Sequence, residues 1–378
     1  MILSRDRLAL PRRRWLLGAA ALPAALLLPG CGGSPEVGSC LEPDEQVPEP
    51  EPPRRPRGAR ARIVPPSEEH YFEIQTPVVS PDGTLIAACE APDRSQLDLA
   101  DTHGVLLWDT STGEIVRRLN PHAIGPLAWH PNGSRLAVGD ALHVAEVDVG
   151  GTLLRNLVGN ADPRGTSPRI LDVAYSPDGS LLAASASDGA VRLYSTSTDS
   201  CTGTRVLAPG ARRQRTVAFS PDGARLAVGG VALTDADEGG RPTGLWDPHS
   251  GRREEVLDGV EGTVLGLGYS GDGTLVQVLD DPSSLAVHAP DGSTSTGPPV
   301  DAARFRDLAV GTGSRVAVLS ASGTLRLWDR DSDEQETLEM SLLERICWSP
   351  DEATLYTLSE SEGISAWDGT QWRQFELP

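Results

Sequence analysis

One tight-turn tetrapeptide recurs along this chain at a nearly constant interval, and the recurrence limits the possible folds more than any other feature. Ser80-Pro81-Asp82-Gly83, His130-Pro131-Asn132-Gly133, Ser176-Pro177-Asp178-Gly179 and Ser220-Pro221-Asp222-Gly223 are clear copies. Ser270-Gly271-Asp272-Gly273, Val310-Gly311-Thr312-Gly313 and Ser349-Pro350-Asp351-Glu352 are degenerate ones. The seven copies stand about 39 to 50 residues apart, as in a repeat architecture where each copy is one supersecondary unit. Within the element, Pro pre-sets φ at the second position, Asp or Asn takes the third, and Gly accepts a positive φ at the end.

The flanks of each turn are strand-like. Val79, Trp129, Tyr175, Phe219, Tyr269 and Trp348 precede six of the turns, and runs such as Leu181-Leu182-Ala183-Ala184 follow them. Farther on, each repeat carries a second apolar segment. These are Val105–Asp109, Ala145–Asp148, Val191–Ser195, Gly244–Asp247, Leu285–His288, Leu325–Asp329 and Ile364–Asp368. Four of them end in a Trp-Asp dyad: Trp108-Asp109, Trp246-Asp247, Trp328-Asp329 and Trp367-Asp368. Their apolar and polar residues alternate, as a half-buried strand requires. A further strand follows most of them, for example Glu114–Leu119.

Four short strands per unit, seven units and these two signatures together resemble the WD40-repeat family over roughly residues 70–378. The resemblance implies an all-β fold, a seven-bladed β-propeller of four-stranded antiparallel blades occupying residues 67–378. One blade cannot bury both faces of its small sheet, whereas blades packed radially can. The chain departs from the family pattern at the Gly-His pair expected before each first strand, for which His122 is the nearest match. The Asp expected in the turn before the dyad strand is clear only at Asp188-Gly189. The family's buried Asp-His-Ser-Trp network is therefore expected to be largely missing, with apolar contact carrying blade packing. For ring closure, Gln371–Leu377 is expected to supply the outer strand of the last blade, with Ala61-Arg62-Ile63-Val64 as the competing segment.

The first 66 residues have a different character. Arg12, Arg13 and Arg14 precede Trp15-Leu16-Leu17 and an apolar run reaching Leu28, short and interrupted by Pro23. It fits an export signal over residues 1–30 better than a membrane span. Arg12-Arg13-x-Trp-Leu resembles the twin-arginine motif, although Pro11 and Leu17 depart from it, and the general secretory route is the alternative. Leu28-Pro29-Gly30-Cys31 resembles a bacterial lipobox, with Pro29 as the departure. The resemblance makes Cys31 the lipid attachment site and implies an exported lipoprotein on the outer side of the cytoplasmic membrane; a soluble secreted form is the alternative. Residues 31–66, rich in Glu, Pro and Arg, read as a solvated, disordered tether.

Charge narrows the partners. The formal net charge is −20, and it falls to −24 once the +4 of residues 1–30 is removed. Such a surface repels phosphate backbones, so a nucleic-acid partner is not expected. Two long connections between second and third strands are acidic: Glu90–His103 with Asp93, Asp98 and Asp101, and Val231–Thr243 with Asp235, Asp237 and Glu238. The family topology places them on one rim, together with the inter-blade segment Gly159–Arg169, and they form the candidate binding rim. Asp235–Gly240 lacks the ligand spacing of a calcium loop, so no metal is expected there. Arg212, Arg213 and Arg215 read as ordinary surface charge. No nucleophile elbow, phosphate loop or paired-histidine spacing is present, so neither catalytic residues nor a cofactor are expected. Cys89 and Cys347 fall on blades that neighbour each other in a closed ring; two buried free thiols are expected, and a disulfide clasp is the alternative.

Two functions of different class follow. The first is a non-enzymatic, monomeric interaction platform that binds a protein or peptide through loops on one rim and meets the membrane through lipid on Cys31. The second is a propeller hydrolase or lyase acting on carbohydrate, lactone or peptide. It would require acids converging at the central channel with a raised carboxylate pKa.

Overall fold

The computed structural model describes residues 77–375, apart from 90–103, 122–124, 141–142, 159–168, 198–204, 208–212, 232–242, 258–262, 281–282, 341–342 and 360–362. These residues form seven antiparallel sheets, each of four consecutive strands paired in chain order. The blades span 78–119, 127–158, 170–207, 213–256, 264–299, 305–339 and 343–374. Within a blade the strands are named here inner, second, third and outer. Inner strands of successive blades touch around the full circle, and the inner strand of blade 7, Leu343–Trp348, returns to that of blade 1, Val78–Val79.

The period of two in the sequence explains the packing. Along the second strand of blade 1, Ala87 and Cys89 face blade 2, while Ile86 and Ala88 face blade 7. Each blade thus offers one apolar face to each neighbour, and each of the seven seams holds an apolar cluster. Trp108, fully buried between blades 7 and 1, contributes about 1.5–3 kcal/mol or more on burial.

The recurrent tetrapeptide joins inner to second strand. In five copies the Ser hydroxyl donates to the Asp carboxylate at 2.6 Å: Ser80, Ser176, Ser220, Ser270 and Ser349. The Gly83 N–H closes its turn on Ser80 O at 2.8 Å, with Gly83 at φ 75°. Adjacent turns nest. A Cβ on Gly179 would lie 2.5 Å from the His130 ring of the preceding blade, so glycine is needed there for space as well as for φ. Blade 7 places Glu352 at this position, at φ 56°. The Glu352 carboxylate accepts the Gly313 N–H, and its backbone carbonyl accepts Arg315 Nη1 at 2.8 Å, tying the turns of blades 6 and 7.

The ring closes through the C-terminal segment. Trp372–Gln374 pairs with Gly363–Trp367 as the outer strand of blade 7. Phe375, 2% exposed, follows it into the seam with blade 1. Ala61–Val64 lies outside the described residues.

Buried polar groups correct the expectation that apolar contact carries the seams largely alone. Between blades 2 and 3, fully buried Glu146 accepts the Tyr175 hydroxyl at 2.6 Å and pairs with Arg155, with Arg135 3.6 Å away. Between blades 4 and 5, Thr243 donates to Gln277 Oε1 at 2.6 Å, and Gln277 Nε2 meets His288 Nε2 at 2.8 Å. These networks use residue types outside the family signature, which is why the motif pattern did not disclose them.

A second set of ties runs along the outside. Arg117 donates to Gly150 O at 3.0 Å, Arg155 to Ser195 O at 3.2 Å and Arg205 to Pro248 O at 3.0 Å. Arg373 donates to Ser111 O at 2.8 Å. In each case an outer-strand arginine straps the turn between third and outer strand of the next blade.

Cys89 and Cys347 are free thiols. Alternation sends them to different seams. Cys89 faces blade 2 and donates to Gly125 O at 3.4 Å, whereas Cys347 packs toward blade 1, so no clasp joins them. Burial pushes the Cys89 thiol up to about 12, slightly offset by its Gly125 contact.

Candidate functional site

The four dyads are structural. Asp109 accepts the N–H groups of Ser111 at 2.8 Å and Thr112 at 3.0 Å, together with the Ser111 hydroxyl. Asp247, Asp329 and Asp368 accept the equivalent backbone donors of their own turns. The Ser111 hydroxyl, followed by the two backbone donors, holds Asp109 below the usual carboxylate range. The Gln371 N–H does most to bring Asp368 to about 2. The dyad Asp is thus the cap of a surface turn. The dyad Trp side chains fill different seams: Trp108 between blades 7 and 1, Trp246 between 3 and 4, Trp328 between 5 and 6, and Trp367 between 6 and 7.

The candidate binding rim falls elsewhere. Asp93, Asp98, Asp101, Asp235, Asp237 and Glu238 lie outside the described residues, as do Arg12, Arg13 and Cys31. The strands flanking the two acidic connections are placed. One connection joins Leu85–Cys89 to Val105–Asp109, and the other joins Leu226–Val231 to Thr243–Trp246. Antiparallel order puts the flanking strand ends at Cys89, Val105, Val231 and Thr243 on the rim opposite the tetrapeptide turns.

Two carboxylates sit on inner strands. Asp172 of blade 3 accepts the Val217 N–H at 2.9 Å and the Thr216 hydroxyl at 3.0 Å, both from the inner strand of blade 4. Asp307 of blade 6 accepts the Ile346 N–H of blade 7 at 2.9 Å. Burial raises Asp172 to about 6; the bonds from Val217 and Thr216 oppose the rise, and the charge of Asp307 adds to it. A raised carboxylate was the geometric mark of the enzymatic alternative. Here Asp172 is raised and feels the charge of Asp307, and both carboxylates also brace the next inner strand. Among the described residues, no group of three or more His, Cys, Asp or Glu could hold a metal ion.

Sequence reasoning missed a cleft of about 440 Å³ between blades 6 and 7. It opens on the rim of the tetrapeptide turns, opposite the acidic connections. Its aromatic walls are Trp348 and Trp367, and Trp372 stacks on Trp367 at 5.2 Å between ring centroids. Arg315 lies over Trp348, 5.8 Å from its ring centroid. Asp329, Glu334 and Glu336 supply carboxylates. The only signal in the sequence was the density of Trp in the last two repeats, which also served the dyad pattern.

With this geometry in view, the relatives can be placed. The family model "WD domain, G-beta repeat" matches residues 151–195. That stretch holds the outer strand of blade 2 and the first three strands of blade 3, so one sequence repeat bridges a seam. The chain carries a WD40 repeat within a β-propeller. Periodic tryptophan protein 2 homolog of Neurospora crassa is 29% identical over 121 residues, covering 32% of this chain and 12% of that protein. Small ribosomal subunit protein RACK1 of Caenorhabditis elegans is 26% identical over 137 residues, covering 34% and 38%. This chain therefore spans well under half the length of either curated relative. Among solved structures, the Cps50 (Swd1) β-propeller domain of Myceliophteria thermophila superposes with TM-score 0.63 at 16% identity, covering 80% of this chain and 98% of that one. A chain of Kuenenia stuttgartiensis hydrazine synthase gives TM-score 0.61 at 17% identity, covering 79% and 95%. At these identities the propeller shares a fold with both and nothing finer.

Proposed function

We propose that this WD40 propeller is a non-enzymatic binding platform, monomeric, held outside the cytoplasmic membrane by lipid on Cys31 and recognising a protein or peptide. The observation that carries the reading is the use of the inner-strand carboxylates. Asp172 and Asp307 each accept a backbone N–H from the next blade, so these two inner-strand carboxylates tie neighbouring blades together. Rigid rings that present turns and loops on two rims suit recognition. Residues 1–30 and Cys31 supply the export and anchoring features, and the tether over 31–66 lets the propeller stand off from the lipid surface. One relative is by name a small ribosomal subunit protein, a component of an assembly, which agrees with a platform role.

Two experiments test this. Cross-linking capture with the full chain in its own cells is expected to return a reproducible partner absent from mock samples; repeated failure would overturn the platform reading. Labelling with an alkyne fatty acid is expected to mark the wild-type chain and not Cys31→Ser. Equal labelling of both would remove the anchor.

A further inference from the structure

One register position separates four blades from the other three, and one of the three borders the cleft. Opposite the residue just before the dyad, blade 1 carries Arg117 paired with Leu107. At the same place blade 2 pairs Arg155 with Glu146, blade 3 pairs Arg205 with Leu193, and blade 7 pairs Arg373 with Ala366. These are the four arginines that strap the following blade. Blade 4 has Glu255 there, paired with Leu245, blade 5 has Thr296, paired with Ala286, and blade 6 has Glu336, paired with Leu327. Of the three blades without the arginine, blade 6 is the one whose outer strand lines the cleft, through Glu334, Gln335 and Glu336. The turn that a strap would reach, after Asp368, contributes Gly369 to the lining.

We propose that the cleft between blades 6 and 7 takes an arginine side chain of a partner polypeptide, where four other seams hold an arginine of the chain itself. Charge supports this occupant. Glu334 and Glu336 line the cleft, while Asp329 caps its own turn, and the lining holds one guanidinium, Arg315, which is already engaged with the Glu352 carbonyl and the Trp348 face. Glu336 is exposed and within the lining, free to meet a guanidinium from outside. Flat indole walls suit a planar, weakly hydrated cation better than a compact ammonium. The assignment rests on the platform reading above and names the partner chemistry for one site on it.

The test uses the full chain and a defined probe, the tripeptide Ac-Ala-Arg-Ala-amide, followed by tryptophan fluorescence. Saturable binding is expected. Replacing the probe's arginine with citrulline, which removes the charge and puts a carbonyl oxygen in place of one nitrogen, is expected to weaken it about tenfold, and Glu336→Gln by a similar factor. Glu336→Arg rebuilds the strap and is expected to abolish binding while the melting temperature holds or rises, which separates occupation of the cleft from misfolding. No saturation up to about 10 mM, a K_d of roughly the weakest class, would overturn the proposal, as would equal affinity for the citrulline probe or an undiminished signal in Glu336→Arg. Binding seen only after Arg54, Arg55, Arg57, Arg60 and Arg62 are replaced by Ser would assign the cleft to the chain's own segment and overturn the partner form. Cross-linking capture by Glu336→Arg separates the two levels: partners retained at wild-type yield leave the platform reading standing and sink the cleft assignment.

Discussion

The seams between blades 2 and 3 and between blades 6 and 7 share a pairing register and end differently. In the first, Glu146 on the third strand is fully buried and faces outer-strand Arg155, which also reaches Ser195 O of blade 3. In the second, the carboxylate has moved to the outer strand as Glu336, its partner across the register is Leu327, and a tryptophan-walled cleft remains. An inward carboxylate with an outward arginine closes a seam. An outward carboxylate alone leaves it open to whatever cation comes from elsewhere. The same backbone thus yields a structural joint or a recognition groove, depending on which strand bears the charge.

The comparison can be broken at several points. The largest effect is expected from deleting residues 371–378, which removes the outer strand of blade 7, Phe375 and the Arg373 strap together. Cooperative thermal unfolding should be lost, whereas deletion of 32–65 should move the melting temperature by no more than about 2 °C. Equal loss in both would place closure elsewhere. Next comes Glu146→Ala. It leaves Arg155 without its buried partner and the Tyr175 hydroxyl without an acceptor, and should cost about 3–5 kcal/mol in urea unfolding. A cost under about 1 kcal/mol, typical of exposed pairs, would show that the network is peripheral.

The third prediction concerns pH. Burial raises Asp172 from the usual 3.8 to about 6. The folded state therefore holds this proton more tightly than the unfolded chain does. Ionised Asp172 costs stability above about pH 6, and the cost is relieved as pH falls toward 4. Asp172→Asn should remove that dependence. Relative to wild type, its stability should be most favourable at pH 8 and lose up to about 3 kcal/mol of that advantage by pH 4, less the loss of one acceptor oxygen. A constant difference across the range would contradict the assignment. The smallest effect is expected from Glu336→Arg, a gain of about 1 kcal/mol from a half-exposed strap.

Much of the fold was legible because its determinants are local. The Ser-Pro-Asp-Gly turns, the Trp-Asp strand ends and the alternation of apolar residues are each encoded within a few positions. The degenerate copies at Ser270 and Val310 also mark inner-to-second turns: Gly273 keeps the positive φ, whereas in blade 6 Val310 still ends the inner strand, Gly313 does not take a positive φ, and the Gly311 N–H makes the closing bond that Ser270 makes in blade 5. The Trp372 strand was readable for the same reason. The seam chemistry was not. Glu146 reads as a polar residue on an alternating strand, and nothing nearby says that Tyr175, 29 residues on, will meet it. Arg117, Arg155, Arg205 and Arg373 look like solvated charges until strand pairing shows that they share one register. Glu336, inside Glu334-Gln335-Glu336, reads as a charged edge for the same reason. The acidic connections with Asp93 and Asp235 were the more conspicuous sequence feature and lie outside the described residues, whereas the tryptophan-lined cleft between blades 6 and 7 had no comparable sequence signal.

Hydrogen exchange measured peptide by peptide tests the contrast between the two seams most directly. Wild-type protein and Glu336→Arg would be followed over the outer strand of blade 6, Gln335–Glu339, and the strands it borders in blade 7, with Leu153–Val158 of blade 2 as the internal reference. The open-seam account predicts that Gln335–Glu339 and Trp372–Gln374 exchange faster than the reference in wild type. It predicts that Glu336→Arg slows them by about threefold or more while leaving the reference unchanged, as a local opening energy raised by a strap requires. Equal protection of the two seams in wild type, or no slowing in the variant, would contradict it.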